Sequence, residues 1–239
     1  MTKVLGIIPA RYASTRFPGK PLIDLKGKSM IQRVYEGVNK SKRFYKVVVA
    51  TDDQRIFDHV TGFGGEVVIT ASSHPSGTDR CGEVLTHFPE AEIVINIQGD
   101  EPLVDAHQLE QLIELFDDQQ VQIGTLGSHH ITEKEVHDAN RIKVVVNHKG
   151  DALYFSRSPI PFERNTMHYP YMKHIGVYGF RADILSRLIA LPSAVLENTE
   201  SLEQLRWMYY GYPIRVALTN IETPNIDVPE DVQKVLDAL

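Results

Sequence analysis

Hydrophobic and polar positions alternate with two different periods along the first half of the chain. Short apolar runs at 4–8, 46–50, 66–70 and 93–98 are bounded by polar or turn-forming residues and read as buried strands. Between them, 29–40, 54–62, 80–87 and 108–116 repeat apolar residues at three- and four-residue spacing, as a helix with one buried face does. Alternation of this kind predicts an α/β fold with a wound, mostly parallel sheet flanked by helices. After about residue 120 the rhythm changes. The runs 143–147 and 152–156, separated by HKGD, predict a hairpin, and 175–180 predicts a further strand, so an antiparallel or mixed portion follows the parallel half. Residues 201–210 read as an amphipathic helix and 214–218 as a strand. A closing helix is expected from Pro229, where proline in the first turn and two early acids suit a helix start.

With 239 residues and 42% hydrophobic content, the chain is long enough for one well-cored domain over 1–239, with about 120–180 as an inserted portion. Its single cysteine, Cys81, excludes an internal disulfide and falls in a helical pattern, where an inert buried thiol is expected. The first apolar run is too short and wrongly flanked for a signal peptide or membrane span, which predicts a soluble, cytoplasmic protein. The formal net charge of −6 argues against a broad nucleic-acid groove.

Against that acidic background, VLGIIPARYASTRFPGKPL at 4–22 carries Arg11, Arg16 and Lys20, and no carboxylate precedes Asp24. Pro9 is expected to stop the first strand, leaving this loop at a strand's carboxyl end, where open α/β sheets bind ligands. Two guanidinium groups and one ammonium, with Ser14, Thr15 and Gly19 among them, suit a polyphosphate. A solvated basic loop is the competing description. The segment is not a P-loop, because Ser14 and Pro21 stand where Gly and Ser or Thr are required.

A second cluster, NIQGDEP at 96–102, ends the strand at 93–98. Asp100 beside a phosphate-binding loop suits Mg²⁺, which takes one or two carboxylates plus water and phosphate oxygens. Asp227, just before the last helix, offers a second carboxylate or else a helix cap. The loops TDD at 51–53 and HPSGTDR at 74–80 fall on the same edge. There Ser76 and Gly77 allow close backbone approach and Arg80 adds positive charge, while Asp52 and Thr78 or Asp79 also suit helix capping. A third cluster collects Arg157, His174, Tyr178, Glu203 and Gln204. It suits an acidic, hydroxylated substrate, with Arg157 as a bidentate carboxylate grip. Packing roles for His174 and Tyr178, and a solvated face for Glu203 and Gln204, are the alternatives.

Taken in order, IPARYASTRFPGKPL, VATDD, HPSGTDR, NIQGDEP, ALYFSR, KHIGVYGFR and SLEQLRWMYYG resemble the 3-deoxy-D-manno-octulosonate cytidylyltransferases, or CMP-Kdo synthetases, over about 4–235. The acylneuraminate cytidylyltransferases have a related first loop, but Tyr12, Ser14, Thr15, Arg16 and Pro21 favour the Kdo branch. Val228 is a local departure, where the family has Thr after the aspartate. The resemblance implies a Rossmann-like nucleotidyltransferase fold whose antiparallel insertion helps form a homodimer. It implies transfer of CMP from CTP to Kdo for lipopolysaccharide biosynthesis, with Mg²⁺, or to 8-amino-Kdo or a sialic acid as alternatives; a non-catalytic nucleotide sensor is the more distant reading. By matching motifs, Arg11, Lys20 and Arg80 would meet the triphosphate, and Ala10, Ser76 and Gly77 would line the nucleotide pocket. Asp100 and Asp227 would hold the metal, and Gln98, Arg157, His174, Tyr178, Glu203 and Gln204 would address the sugar acid.

Overall fold

The computed structural model describes residues 2–13, 17–165 and 168–239. Ser14, Thr15 and Arg16 of the basic loop lie outside the described residues. The chain forms two compact units, one from Met1–Ile113 with Ile221–Leu239 and the other from Glu114–Asn220. The insertion expected at about 120–180 falls within the second unit, which continues to Asn220 because later helices and a strand complete its sheet.

The first unit opens with β1 (Val4–Ala10), followed by the small ribbon β2 (Asp24–Leu25) and β3 (Lys28–Ser29) and by α1 (Met30–Val38). It continues through β4 (Phe44–Thr51), α2 (Gln54–Gly62), β5 (Val67–Ile69), α3 (Gly77–Leu85), β6 (Ile93–Asn96) and α4 (Ala106–Glu114). Strands β6, β1, β4 and β5 lie side by side in that order, all parallel, so their carboxyl ends share one edge. Leu5, Ile7, Ile8, Val48, Val49, Val94 and Ile95 are fully buried, each contributing about 1.5–3 kcal/mol of hydrophobic stabilisation. The helices start where short polar side chains satisfy their free N–H groups. Ser29 accepts from Gln32 N, Asp53 from Arg55 N, and Ser76 from Asp79 N.

Pro9 does not stop β1, contrary to expectation. The strand runs to Ala10, with Pro9 opposite Ala50 of β4, while the ladder to β6 ends at Ile7 opposite Asn96. Proline's missing N–H therefore falls where one side of the strand is already unpaired. Just beyond β6, a Cβ on Gly99 would stand 2.6 Å from the Pro9 carbonyl oxygen, so only glycine lets the two strand ends approach.

The second unit carries β7 (Ile123–Ser128), α5 (Glu133–His137), β8 (Lys143–Val146), β9 (Ala152–Ser156) and β10 (Lys173–Arg181). It then adds α6 (Ala182–Leu188), α7 (Val195–Glu200), α8 (Gln204–Tyr209) and β11 (Ile214–Leu218). Here β7 pairs in parallel with β11 and antiparallel with β10, β10 touches β8, and β8 and β9 form the expected hairpin. The hairpin's turn reaches back to β11: Val216 N donates to Gly150 O at 2.9 Å, and Arg215 Nε to Asp151 Oδ1 at 2.6 Å. Trp207 stands edge-on to Tyr178 and Phe180, with ring centroids 5.1 and 5.3 Å away. The helix expected over 201–210 starts at Gln204, because Ser201 takes a left-handed conformation that ends α7.

The final helix, α9 (Asp231–Ala238), returns to the first unit, where Val235 and Ile226 are buried with Leu25 and Met30. Among the described residues, no helix is long and apolar enough to cross a membrane.

Candidate active site

The predicted charged residues of the first unit gather at the carboxyl edge of its sheet. Lys20 follows Gly19, whose φ of 73° places it in the left-handed region that glycine favours. The Lys20 ammonium donates to Asp100 Oδ2 at 2.9 Å and to the Ile226 carbonyl at 2.7 Å, and lies 3.9 Å from Asp227 Oδ1. Backbone pairing fixes this meeting, since Ile226 N donates to Asp100 O at 2.9 Å. Asp227 does not cap the last helix. Its N–H and that of Val228 instead donate to Asp231 Oδ2 at 2.9 and 3.1 Å, which leaves the Asp227 carboxylate directed at Lys20 and at the Asn225 amide. Two carboxylates already converging on one cation, at the edge where phosphates are expected, have the donor chemistry of a Mg²⁺ site completed by water and substrate oxygens. The adjacent Glu101 accepts from Thr223 Oγ1 at 2.9 Å, and burial, helped by Asp100, pushes its pKa up to about 7.

Arg11, next after β1, donates from Nη2 to the His74 carbonyl. Tyr12 is sandwiched within the same loop: its carbonyl accepts from Gly19 N at 2.9 Å, and the Arg55 guanidinium lies 3.3 Å from its ring centroid. Ser76 and Gly77 open α3, with Gly77 facing Pro9 closely enough that a Cβ would sit 3.4 Å from its ring. Arg80 departs from expectation. It is fully buried, bonded through Nη1 to Thr70 Oγ1 and 3.4 Å from Asp52 Oδ2, with no partner for Nε among the described residues. Burial lowers its pKa, opposed by Asp52 and reinforced by Arg11. In this conformation Arg80 adds positive field under the loop rather than a surface contact, and Asp52 is its counter-ion rather than a helix cap.

The second unit holds its predicted residues differently. His174 Nε2 lies 3.0 Å from Thr125 Oγ1, and that hydroxyl donates to Val177 O at 2.8 Å. The hydroxyl proton being engaged there, His174 Nε2 carries the donating hydrogen and Nδ1 remains an acceptor. Burial lowers the His174 pKa to about 3, so the ring is neutral. Tyr178 is buried beside Thr125, and burial and then the Glu203 charge hold its pKa well above the usual value, opposed by the Thr125 hydroxyl. Gln204 is likewise buried, and its Nε2 has no partner among the described residues, which makes it a polar group that a ligand would satisfy. Glu203 stands at the N-cap position of α8, immediately before Gln204.

Arg157 is held by the backbone. Its Nε donates to Glu200 O at 2.6 Å, Nη1 to Ala139 O at 2.9 Å and Nη2 to Ser201 O at 3.2 Å. These bonds take three of the five guanidinium N–H groups and leave one on each Nη. Glu200 also accepts from Arg157 N at 2.9 Å and from Ser156 Oγ at 2.7 Å. Arg157 thus fastens β9 to the junction from which α8 departs.

A family model described as cytidylyltransferase matches residues 5–219. The chain belongs to the cytidylyltransferase family. A 3-deoxy-manno-octulosonate cytidylyltransferase of Parabacteroides distasonis is 48% identical over 99% of this chain and 98% of that protein. An 8-amino-3,8-dideoxy-manno-octulosonate cytidylyltransferase of Shewanella sediminis is 47% identical over 95% of this chain and 94% of that protein. The solved structure of a CMP:2-keto-3-deoxy-manno-octonic acid synthetase complexed with CTP superposes with a TM-score of 0.95 at 45% identity, covering 99% of this chain and 98% of that one. The expected nucleotidyltransferase fold and recognition are therefore borne out, and this cytidylyltransferase is an enzyme of the nucleotidyltransferase class. Sequence reasoning missed Thr125, which fixes the His174 tautomer from a strand whose sequence, IGTLGS, carries no chemical signal. It also missed Arg55, a residue of an ordinary amphipathic helix that stacks on the loop's tyrosine.

Proposed function

We propose that this cytidylyltransferase transfers CMP from CTP to the anomeric hydroxyl of Kdo, giving CMP-Kdo and pyrophosphate. The observation that carries the reading is the convergence of Asp100 and Asp227 on Lys20 at the edge that also bears Arg11. The Parabacteroides relative's name and the CTP-bound neighbour supply the two substrates.

In the reaction, an O–P bond forms between the acceptor oxygen and the α-phosphorus while the bond from that phosphorus to the pyrophosphate oxygen breaks in line, and the hydroxyl proton leaves to solvent. Arg11 and Lys20 neutralise the negative charge on the leaving pyrophosphate, and Ala10, Ser76 and Gly77 line the nucleotide at the strand ends. Asp100 and Asp227 would hold Mg²⁺, which would supply charge neutralisation of the phosphates and acidify the attacking hydroxyl. In the second unit, neutral His174 accepts from a sugar hydroxyl at Nδ1. Tyr178 and Gln204 donate and Glu203 accepts; Gln98 is assigned to the same sugar acid by its motif. Arg157 orders the start of α8.

Use of the product in lipopolysaccharide assembly and a cytoplasmic setting follow from this substrate assignment. A homodimer built on the second unit is supported by exposed Leu153, Phe162 and Leu218, apolar side chains that a partner would cover.

Pyrophosphate release over a panel of nucleoside triphosphates with Kdo, 8-amino-Kdo and a sialic acid tests the reading. The highest kcat/KM is expected for CTP with Kdo. Preference for another acceptor would replace the substrate, and no release with any pair would favour a sensor.

A further inference from the structure

Helix α3 braces the loop in front of it from two places one turn apart. Arg80 holds the loop's first residue, Thr70, and Glu83 reaches farther along it. The Glu83 Oε2 atom accepts from Ala71 N at 2.9 Å and from the His74 ring at Nε2, so one carboxylate oxygen closes the segment 71–74 upon the helix. The His74 carbonyl of that closed segment is the acceptor of Arg11 Nη2. Glu83 is only part-buried. Among the described residues its carboxylate bonds to Ala71 and His74 and to no group expected to meet substrate, and a solvated helix face would not require it to accept from both ends of one loop.

Resting on the reading of Arg11 as a triphosphate ligand, we propose that Glu83 is a positioning residue that acts through His74 to hold the Arg11 guanidinium in place. The bond to His74 first, and then that to Ala71, keeps the Glu83 carboxyl below its usual pKa, so it is ionised at neutral pH and is a strong acceptor for both donors. Without it, the loop carbonyl that restrains one end of the Arg11 fork is free to move. A flexible arginine must then be ordered by the nucleotide itself, which lowers affinity without removing the charge.

The test is a double-mutant cycle read by CTP binding in solution and by the KM for CTP. Glu83→Ala is expected to weaken CTP binding about fivefold to tenfold, to raise the KM in proportion and to change kcat less than twofold. Glu83→Gln retains an oxygen that can accept from both partners and restores binding to within about twofold of the unaltered protein. His74→Ala keeps the carbonyl but removes the tether, so it is expected to match Glu83→Ala and serves if that variant does not fold. In an Arg11→Ala background, Glu83→Ala is expected to have no further effect. Full additivity there, or unchanged CTP binding in both Glu83→Ala and His74→Ala, would overturn the positioning role. Unchanged CTP binding in Arg11→Ala alone would instead overturn the reading of Arg11, and the inference with it.

Discussion

The two units place polar groups by opposite means. In the first, opposite charges hold one another: Lys20 sits between Asp100 and Asp227, Arg80 faces Asp52, and Arg55 meets Asp53 through Nε at 2.9 Å and Nη2 at 2.6 Å. In the second, His174, Tyr178 and Gln204 are neutral groups with the Glu203 carboxylate as their charged companion, while the arginine expected with them ties the backbone together. A site for a highly charged phosphate needs cations already in place, whereas a site for hydroxyl groups gains from unpaired donors and acceptors in a dry surrounding. The contrast assigns charge chemistry to one unit and hydrogen-bond selection to the other.

The largest test of that contrast is at the paired carboxylates. Asp100→Asn and Asp227→Asn are each expected to lower kcat roughly a hundredfold at saturating substrates while weakening CTP binding far less, as steady-state and binding measurements would show. Near-normal turnover in either variant removes its role. In the second unit, Arg157→Ala is expected to destabilise the protein by about 2 kcal/mol or more, read from urea unfolding, because three carbonyls lose a charged donor. Loss of Kdo affinity at unchanged stability would restore Arg157 as a direct ligand. Tyr178→Phe is expected to raise the KM for Kdo about tenfold yet cost no more than about 1 kcal/mol of stability, since the hydroxyl it deletes gives up a single interaction with Thr125.

The smallest expected effect is one of pH. Burial depresses the folded-state pKa of His174 to about 3, below the ordinary value of 6.5. The unfolded chain therefore takes up a proton first, so the stabilising effect is full above pH 6.5 and is lost as pH falls from there toward 3. Between pH 6.5 and 5, His174→Gln should lose stability less steeply than the unaltered protein, by up to about 1.4 kcal/mol per pH unit.

The parallel half was legible because its strands are continuous apolar runs and its helices have clear one-sided patterns; α2, Gln54–Gly62, has its expected bounds. Strand β7 was not, because Gly124 and Gly127 dilute its pattern. The second of these is there for tertiary reasons, since a Cβ would stand 2.6 Å from Met172 Sδ. At the site, Lys20, Asp100 and Asp227 were legible from charge and from their places at strand or helix ends. Their convergence was not, because it depends on Ile226 pairing with the Asp100 carbonyl from the far end of the chain. The frame role of Arg157 was also hidden, as its three acceptors are backbone carbonyls, which any sequence supplies. Asp227 shows the converse case. Capping and metal binding could not be separated by sequence, and the structure has Asp231 holding the N–H groups of Asp227 and Val228 before the helix begins.

The most direct test of this division is the pair of KM values, for CTP and for Kdo, measured by pyrophosphate release in Arg11→Ala and Tyr178→Phe. The account predicts a crossed result, with the CTP value raised by the first substitution and the Kdo value by the second, the other value in each staying within about twofold. A rise in the Kdo value alone with Arg11→Ala, or in the CTP value alone with Tyr178→Phe, would contradict it.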